Sequence, residues 1–229
     1  MNTVLSFFRK LGPEMLRRTY EHTFLVFLAM AIAAAIALPL GIYLARTRRR
    51  RVVSAVLGAV GVIQTVPSLA LISFIVLLFA LVALPTIGTL PALVALVLYA
   101  LLPILRNTYT GIRQVDPSVV EVATGMGMKP IQVLFSVELP LSLPVIMAGI
   151  RISTVWTIGI ATLCGLIGAG GLGNLILKGL RSIQMDYLVA GTVPAAVLAV
   201  TADWLLGRLE RWLTPEGIRE SHHSREEGE

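Results

Sequence analysis

The pattern most suggestive of chemistry is GAGGLG at Gly168 to Gly173, which satisfies the G-x-G-x-x-G spacing of a dinucleotide loop. That loop needs a preceding strand and a crossover in a soluble sheet, so that backbone amides can reach a pyrophosphate. Here the glycines follow a long apolar run. A cofactor role is therefore rejected, and Gly168, Gly170, Gly171 and Gly173 are expected to permit irregular backbone at one mouth of the fold. Arg151 lies inside an apolar run, about 15 Å from its start at helical rise, and Asp203 lies at similar depth in the last run. Charges at such depth are costly and are usually paired or functional, so an Arg151–Asp203 pair that fixes helix packing is expected. Tyr99, Tyr109 and Trp156 offer aromatic faces to an organic cation, although rings in membrane spans more often pack against helices or lipid. His22, His222 and His223 have no companions at metal-ligand spacing, and Cys164 is the sole cysteine. No metal site and no intrachain disulfide are expected.

The elements that must position these residues follow from composition. The chain has 229 residues, of which 56% are hydrophobic and 14% charged, with a mean hydropathy of +0.83. A soluble domain carries about 25% charged residues, so most of this chain is solvated by lipid. Its net charge of +6 comes from arginines that flank apolar runs and form no stripe on a polar face, which argues against a nucleic-acid partner. The expected fold is an all-α polytopic membrane bundle.

Runs near the length of about 20 residues that crosses a bilayer are Thr23 to Ala45, Thr89 to Leu105, Leu141 to Leu163 and Tyr187 to Leu209. A further run from Val52 to Leu84 is interrupted by Gln64, Thr65, Pro67 and Ser68, and counts as one kinked span or two short ones. Five or six spans result. Five spans with a cytoplasmic carboxyl terminus place twelve Lys and Arg inside and six outside, with Arg151 within a span. Six spans would put the cluster from Arg46 to Arg51 outside, against the positive-inside rule. Five are therefore expected, with the amino terminus outside. Residues 1–22, with Phe7, Phe8, Leu11, Met15 and Leu16 among Arg9, Lys10, Arg17 and Arg18, read as an amphipathic segment on the membrane surface. Residues 23–213 form the transmembrane domain, and residues 214–229 a polar cytoplasmic tail. Small residues at Ala31, Ala33, Ala34, Ala35, Ala37 and Gly41, and again at Ala55, Gly58, Ala59 and Gly61, suit close helix packing within the chain or with another subunit.

The cytoplasmic loop, residues 106–140, carries its own helix signals. Asp116 or Ser118 can cap a helix with Pro117 in its first turn, and Val119, Val122, Ala123 and Met126 share one face. Gly125 and Gly127 end or bend this helix, and Pro130 starts another bearing Ile131, Leu134 and Phe135. Two short helices meeting at a glycine corner are predicted, with an apolar stripe that awaits a partner.

Glu121, Ala123 and Gly127, followed by Val137, Leu139 and Pro140, resemble the EAA loop of ABC-importer permeases, with Val122 and Val137 as conservative departures from alanine and isoleucine. QTVPSLA, LPILRNTYTGI, IMAGIR, GAGGLG and the closing RWLTPEG extend the likeness, over nearly the whole chain, to permeases of glycine betaine, carnitine and choline importers. The resemblance implies a type I importer of the bacterial plasma membrane, with two permease chains, identical or related, two cytoplasmic ATPase subunits and an external substrate-binding protein. ATP and magnesium would bind the ATPase, no cofactor this chain. On that reading Glu121, Ala123, Gly127, Leu139 and Pro140 dock the loop in a groove of the ATPase. The glycine-rich turn would gate the outer mouth where the binding protein docks. Glu121 also fits a capping box with Ser118. Permeases for another small solute, such as an amino acid, are a rival reading, and an ion-coupled secondary carrier is another. Scarcity of ionisable residues in the spans, and a docking loop that a carrier would not use, weigh against the carrier.

Overall fold

The computed structural model describes residues 2–214, and every regular element among them is helical. The polar tail beyond Thr214, with His222, His223 and the end of the RWLTPEG run, lies outside the described residues. The helices are α1 (Asn2–Arg46), α2 (Arg50–Thr65), α3 (Ser68–Leu81), α4 (Thr89–Arg113), α5 (Pro117–Gly125), α6 (Pro130–Val133), α7 (Leu139–Leu163), α8 (Leu172–Ser182) and α9 (Met185–Leu213). A π-helical turn, Leu134–Glu138, joins α6 to α7, and a 3-10 turn, Cys164–Ile167, follows α7.

Arg9–Arg46, Thr89–Arg113, Pro130–Ile167 and Met185–Leu213 are each long and apolar enough to cross a membrane. The fifth crossing is α2 with α3, which bend by 104° across Val66 and Pro67. At about 1.5 Å per residue neither helix spans the roughly 30 Å hydrocarbon core alone. Two anchors show that the pair carries the chain across once. At its start, Arg46 donates from Nη2 to Pro130 O at 2.9 Å, beside the α4–α7 loop. At its end, the Gly88 amide donates to Ile167 O at 2.7 Å, beside the glycine-rich turn at the opposite end of α7. Proline at position 67 makes the bend, since it cannot continue the α2 hydrogen-bond ladder, and Val66 leaves α2 in an extended conformation.

The centre of the bundle is α4, packed between α1 and α7. Ala29, Ala33, Ala37 and Gly41 recur every four residues, so they line one face of α1, and all are buried. The three alanines share a core with Ala92, Ala95, Leu96 and Ala100 of α4. Small side chains let the two backbones approach: a Cβ on Gly41 would lie 2.7 Å from the Thr108 Cβ. The small-residue face at Ala33, Ala37 and Gly41 thus serves packing within the chain, while Ala31, Ala35, Ala55 and Ala59 stay exposed.

The boundary expected at residue 22 falls inside α1, which is continuous from Asn2. Between Glu14 and Leu38 the sequence holds neither glycine nor proline to stop it. Leu11, from the segment expected on the membrane surface, is buried with Leu172 and Leu175 of α8 and Ala190 and Ala195 of α9.

Candidate functional site

The α4–α7 loop folds as two short arms. Asp116 caps α5 by accepting the Ser118 amide at 2.8 Å, and Pro117 supplies a φ suited to the first helical position. Bonds from the Ser118 amide and hydroxyl hold this exposed carboxyl below its ordinary pKa. With Asp116 as the cap, Glu121 sits beyond the N3 position and the Ser118–Glu121 capping box is not formed. Its carboxylate is exposed and takes no partner among the described residues. The α5 helix closes with Gly127 N–H to Thr124 O at 2.9 Å and Met128 N–H to Ala123 O at 3.2 Å. Gly127 has φ +85°, a left-handed conformation that glycine adopts without steric cost.

Pro130 starts the second arm, whose Lys129 amide is capped by Gln132 Oε1 at 2.7 Å. Ala123, Val133 and Leu134 are buried in the corner, whereas Val122 and Met126 are 63% and 79% exposed, with Ile131 and Phe135 beside them also uncovered. Leu139 and Pro140 are half-buried at the start of α7. Pro140 has no amide for an ordinary helical bond, and the preceding Leu139 amide reaches back five residues to Leu134 O, which makes the π turn.

One contact at this corner escaped the sequence reading. Arg46, read there only as a topology signal, closes on Glu138 at 3.5 Å and on Pro130 O, tying the end of α1 to the second arm. An acidic residue directly before Leu139–Pro140 and the Arg that closes the first span ahead of the basic cluster were the signals available. Arg46→Gln is expected to loosen that arm and leave α5 capped. Hydrogen exchange in nanodiscs should then quicken across residues 130–138 and stay unchanged for α5; equal protection in both proteins would show that the clamp holds nothing.

At the opposite end, the glycine-rich turn has Gly168, Gly170 and Gly171 at positive φ, and Gly173 inside α8. Its Gly171 amide donates to Glu21 Oε2 at 3.1 Å, and Arg18 donates to the same oxygen at 2.8 Å. Next to Glu21, the fully buried His22 ring meets Ile158 O at 3.1 Å. Glu21 was not singled out from sequence, and His22 was named there without a role.

Between α7 and α9, Arg151 binds Asp203 through two parallel hydrogen bonds of 2.9 and 3.0 Å. A third, at 3.0 Å, goes to Glu210, seven residues further along α9 and so on the same face. The three aromatic candidates have separate surroundings. Tyr99 is buried and donates its hydroxyl to Val66 O at the α2–α3 bend, Tyr109 packs half-buried against the core, and Trp156 is largely exposed on the groove beside Arg151.

A multi-pass helical bundle with an exposed, acid-bearing apolar corner at one end and a glycine-rich turn at the other has the form expected of a transporter's membrane subunit. The sequence profile described as binding-protein-dependent transport system inner membrane component matches residues 37–215, and the chain belongs to that family. It is 45% identical over 229 residues to the carnitine transport permease protein OpuCB of Listeria monocytogenes, covering 100% of both chains. It is 44% identical over 219 residues to the choline transport system permease protein OpuBB of Bacillus subtilis, covering 96% of this chain and 97% of that one. Among solved structures, the MetNI methionine ABC transporter in an inward-facing conformation superposes with a TM-score of 0.79 at 22% identity, covering 90% of this chain and 98% of the other, and shows the fold. The chain is thus a multi-pass transport subunit of the inner membrane, without an enzymatic activity of its own, and works with an ATPase and a substrate-binding protein.

Proposed function

We propose that this permease passes quaternary-ammonium osmoprotectants, namely glycine betaine, carnitine and choline, into the cell. The observation that carries the reading is near-full-length identity of 44–45% to permeases named for choline and for carnitine. Two copies, or this chain and a related one, enclose the pathway, with two ATPases beneath and a binding protein above. The loop end, with the α5–α6 corner and the carboxyl terminus, faces the cytoplasm; the distribution of Lys and Arg supports this orientation. The glycine-rich turn then lies at the outer mouth.

In that arrangement the uncovered Val122 and Met126 seat in an apolar groove of the ATPase, while Glu121 meets one of its basic residues. Closure of the ATPase pair on ATP pushes the corner. The half-buried Leu139 and Pro140 pass the push into α7, and the bundle opens outward to receive solute; hydrolysis returns it. Reconstitution with the ATPase and binding protein, followed by uptake of glycine betaine, carnitine, choline and an amino-acid control, tests the reading. Uptake of the amino acid alone overturns it.

Glu121→Lys is expected to lower uptake about tenfold, equivalent to about 1.4 kcal/mol of docking, with the membrane subunit folded and its melting temperature unchanged. Wild-type uptake by this variant would remove Glu121 from the docking surface.

A further inference from the structure

The Arg151–Asp203–Glu210 network is more than a packing device, because it is not enclosed. Arg151 stands twelve residues from either end of α7, which is about 18 Å at helical rise. At that depth its side chain is 33% exposed and that of Asp203 43% exposed. Half-exposed ionised groups this deep do not face lipid tails; such residues line a water-filled path or meet a protein neighbour. Arg211 lines the adjoining groove with Arg151, Asp203 and Glu210, so two guanidiniums balance two carboxylates, and the charged residues that reach the hollow itself are Arg151 and Asp203. Trp156 lies one helical turn and a residue beyond Arg151, 52% exposed, with Ile152 beside it on the same wall. Together with Asp203 these residues line a hollow of about 300 Å³, within the range of about 300–1,000 Å³ common for small-molecule sites.

We infer that this hollow between α7 and α9 is a transit site for the quaternary-ammonium group of the solute, with the Trp156 face and the exposed side of the Asp203 carboxylate as its two attractive elements. A trimethylated nitrogen offers no hydrogen-bond donor, so it is recognised by diffuse negative potential and by aromatic faces, whose pull on a cation strengthens when the contact is desolvated. Arg151 has another role here. By holding Asp203 in a bidentate grip it leaves a carboxylate that attracts a cation without trapping it, as a site of passage requires. The inference rests on the proposed substrate class and adds to it a place in the membrane.

The test uses the full chain assembled with its ATPase in lipid nanodiscs, without binding protein, and tetramethylammonium as the probe. Saturation transfer from protein to the probe's methyl protons is expected for the wild type and for Trp156→Phe, which keeps an aromatic face. It is expected to fall at least severalfold for Trp156→Leu, which keeps bulk and loses the ring; size-exclusion profile and melting temperature confirm that the variant is folded. Equal transfer in Trp156→Leu and wild type, or none in wild type because a neighbouring chain fills the hollow, overturns the site. Uptake assays separate this from failure of the function. A wild-type complex that moves choline or betaine while showing no Trp156-dependent transfer retains its function and loses this site, whereas one that moves neither loses the proposed substrate class.

Discussion

Replacing Gly173 by alanine is expected to abolish transport and to leave little folded protein in the membrane. A Cβ at this position would stand 2.0 Å from Thr162 O and 2.8 Å from its carbonyl carbon. Both sides of that contact are backbone, within α7 and α8, so no side-chain rotation relieves it. Overpacking in a well-filled core costs about 1–3 kcal/mol and more when backbone must move; a loss of about 4 kcal/mol is expected here. Gly159→Ala is the matched control, since that glycine lies on α7 one turn before Thr162, with nothing within 4 Å of an added Cβ. Alanine there should be neutral or stabilise by up to about 1 kcal/mol, from helix propensity. Thermal melting and monodisperse yield in detergent check both variants. Wild-type melting of Gly173→Ala would mean that the α7–α8 junction is held apart in the membrane.

Arg151→Leu has the second largest expected effect. It strands Asp203 and Glu210 as unpaired carboxylates at the α7–α9 contact, and removing one partner of a desolvated pair costs about 3–5 kcal/mol. Their partial exposure in this chain brings the expectation toward the lower figure. The three-membered network changes how a rescue must be built. Exchanging Arg151 and Asp203 alone places an aspartate opposite Glu210, so the swap should recover only part of the loss. Arg151→Leu combined with Asp203→Asn and Glu210→Gln should recover most of it, because no unpaired charge then remains. Melting temperatures of the wild type and these three variants decide the matter; full recovery by the simple exchange would show that Glu210 contributes nothing.

Much of this architecture was readable because lipid imposes strong rules. Apolar length set the crossings, and Pro67 marked the broken one. The α5–α6 corner was legible from Asp116, Pro117, Gly127 and Pro130, all of which act through local backbone chemistry. Arg151 and Asp203 were legible as an anomaly of charge in apolar runs. What remained hidden depends on register between distant helices. Glu210 looked like an ordinary residue of a polar helix end, and only the facing of α7 and α9 puts it on Arg151. Glu21 and His22 meet the glycine-rich turn and α7 across more than 130 residues of chain, a pairing that no periodicity encodes. The continuity of α1 was missed for the opposite reason, since a charged amphipathic stretch and an apolar one were divided by composition although nothing between them stops a helix.

That continuity bears on timing. The same helix holds the glycine-rich turn through Glu21 and the outer part of α7 through His22 and, about 36 Å further along at helical rise, holds the second arm of the corner through Arg46. A displacement at one end therefore reaches the other as quickly as a rigid body transmits it, and the two ends stay in phase. Between the two anchors the one proline of this helix is Pro39, where a backbone hydrogen bond is missing. Slack at that proline would set how far one mouth of the bundle can begin to open before the other has shut.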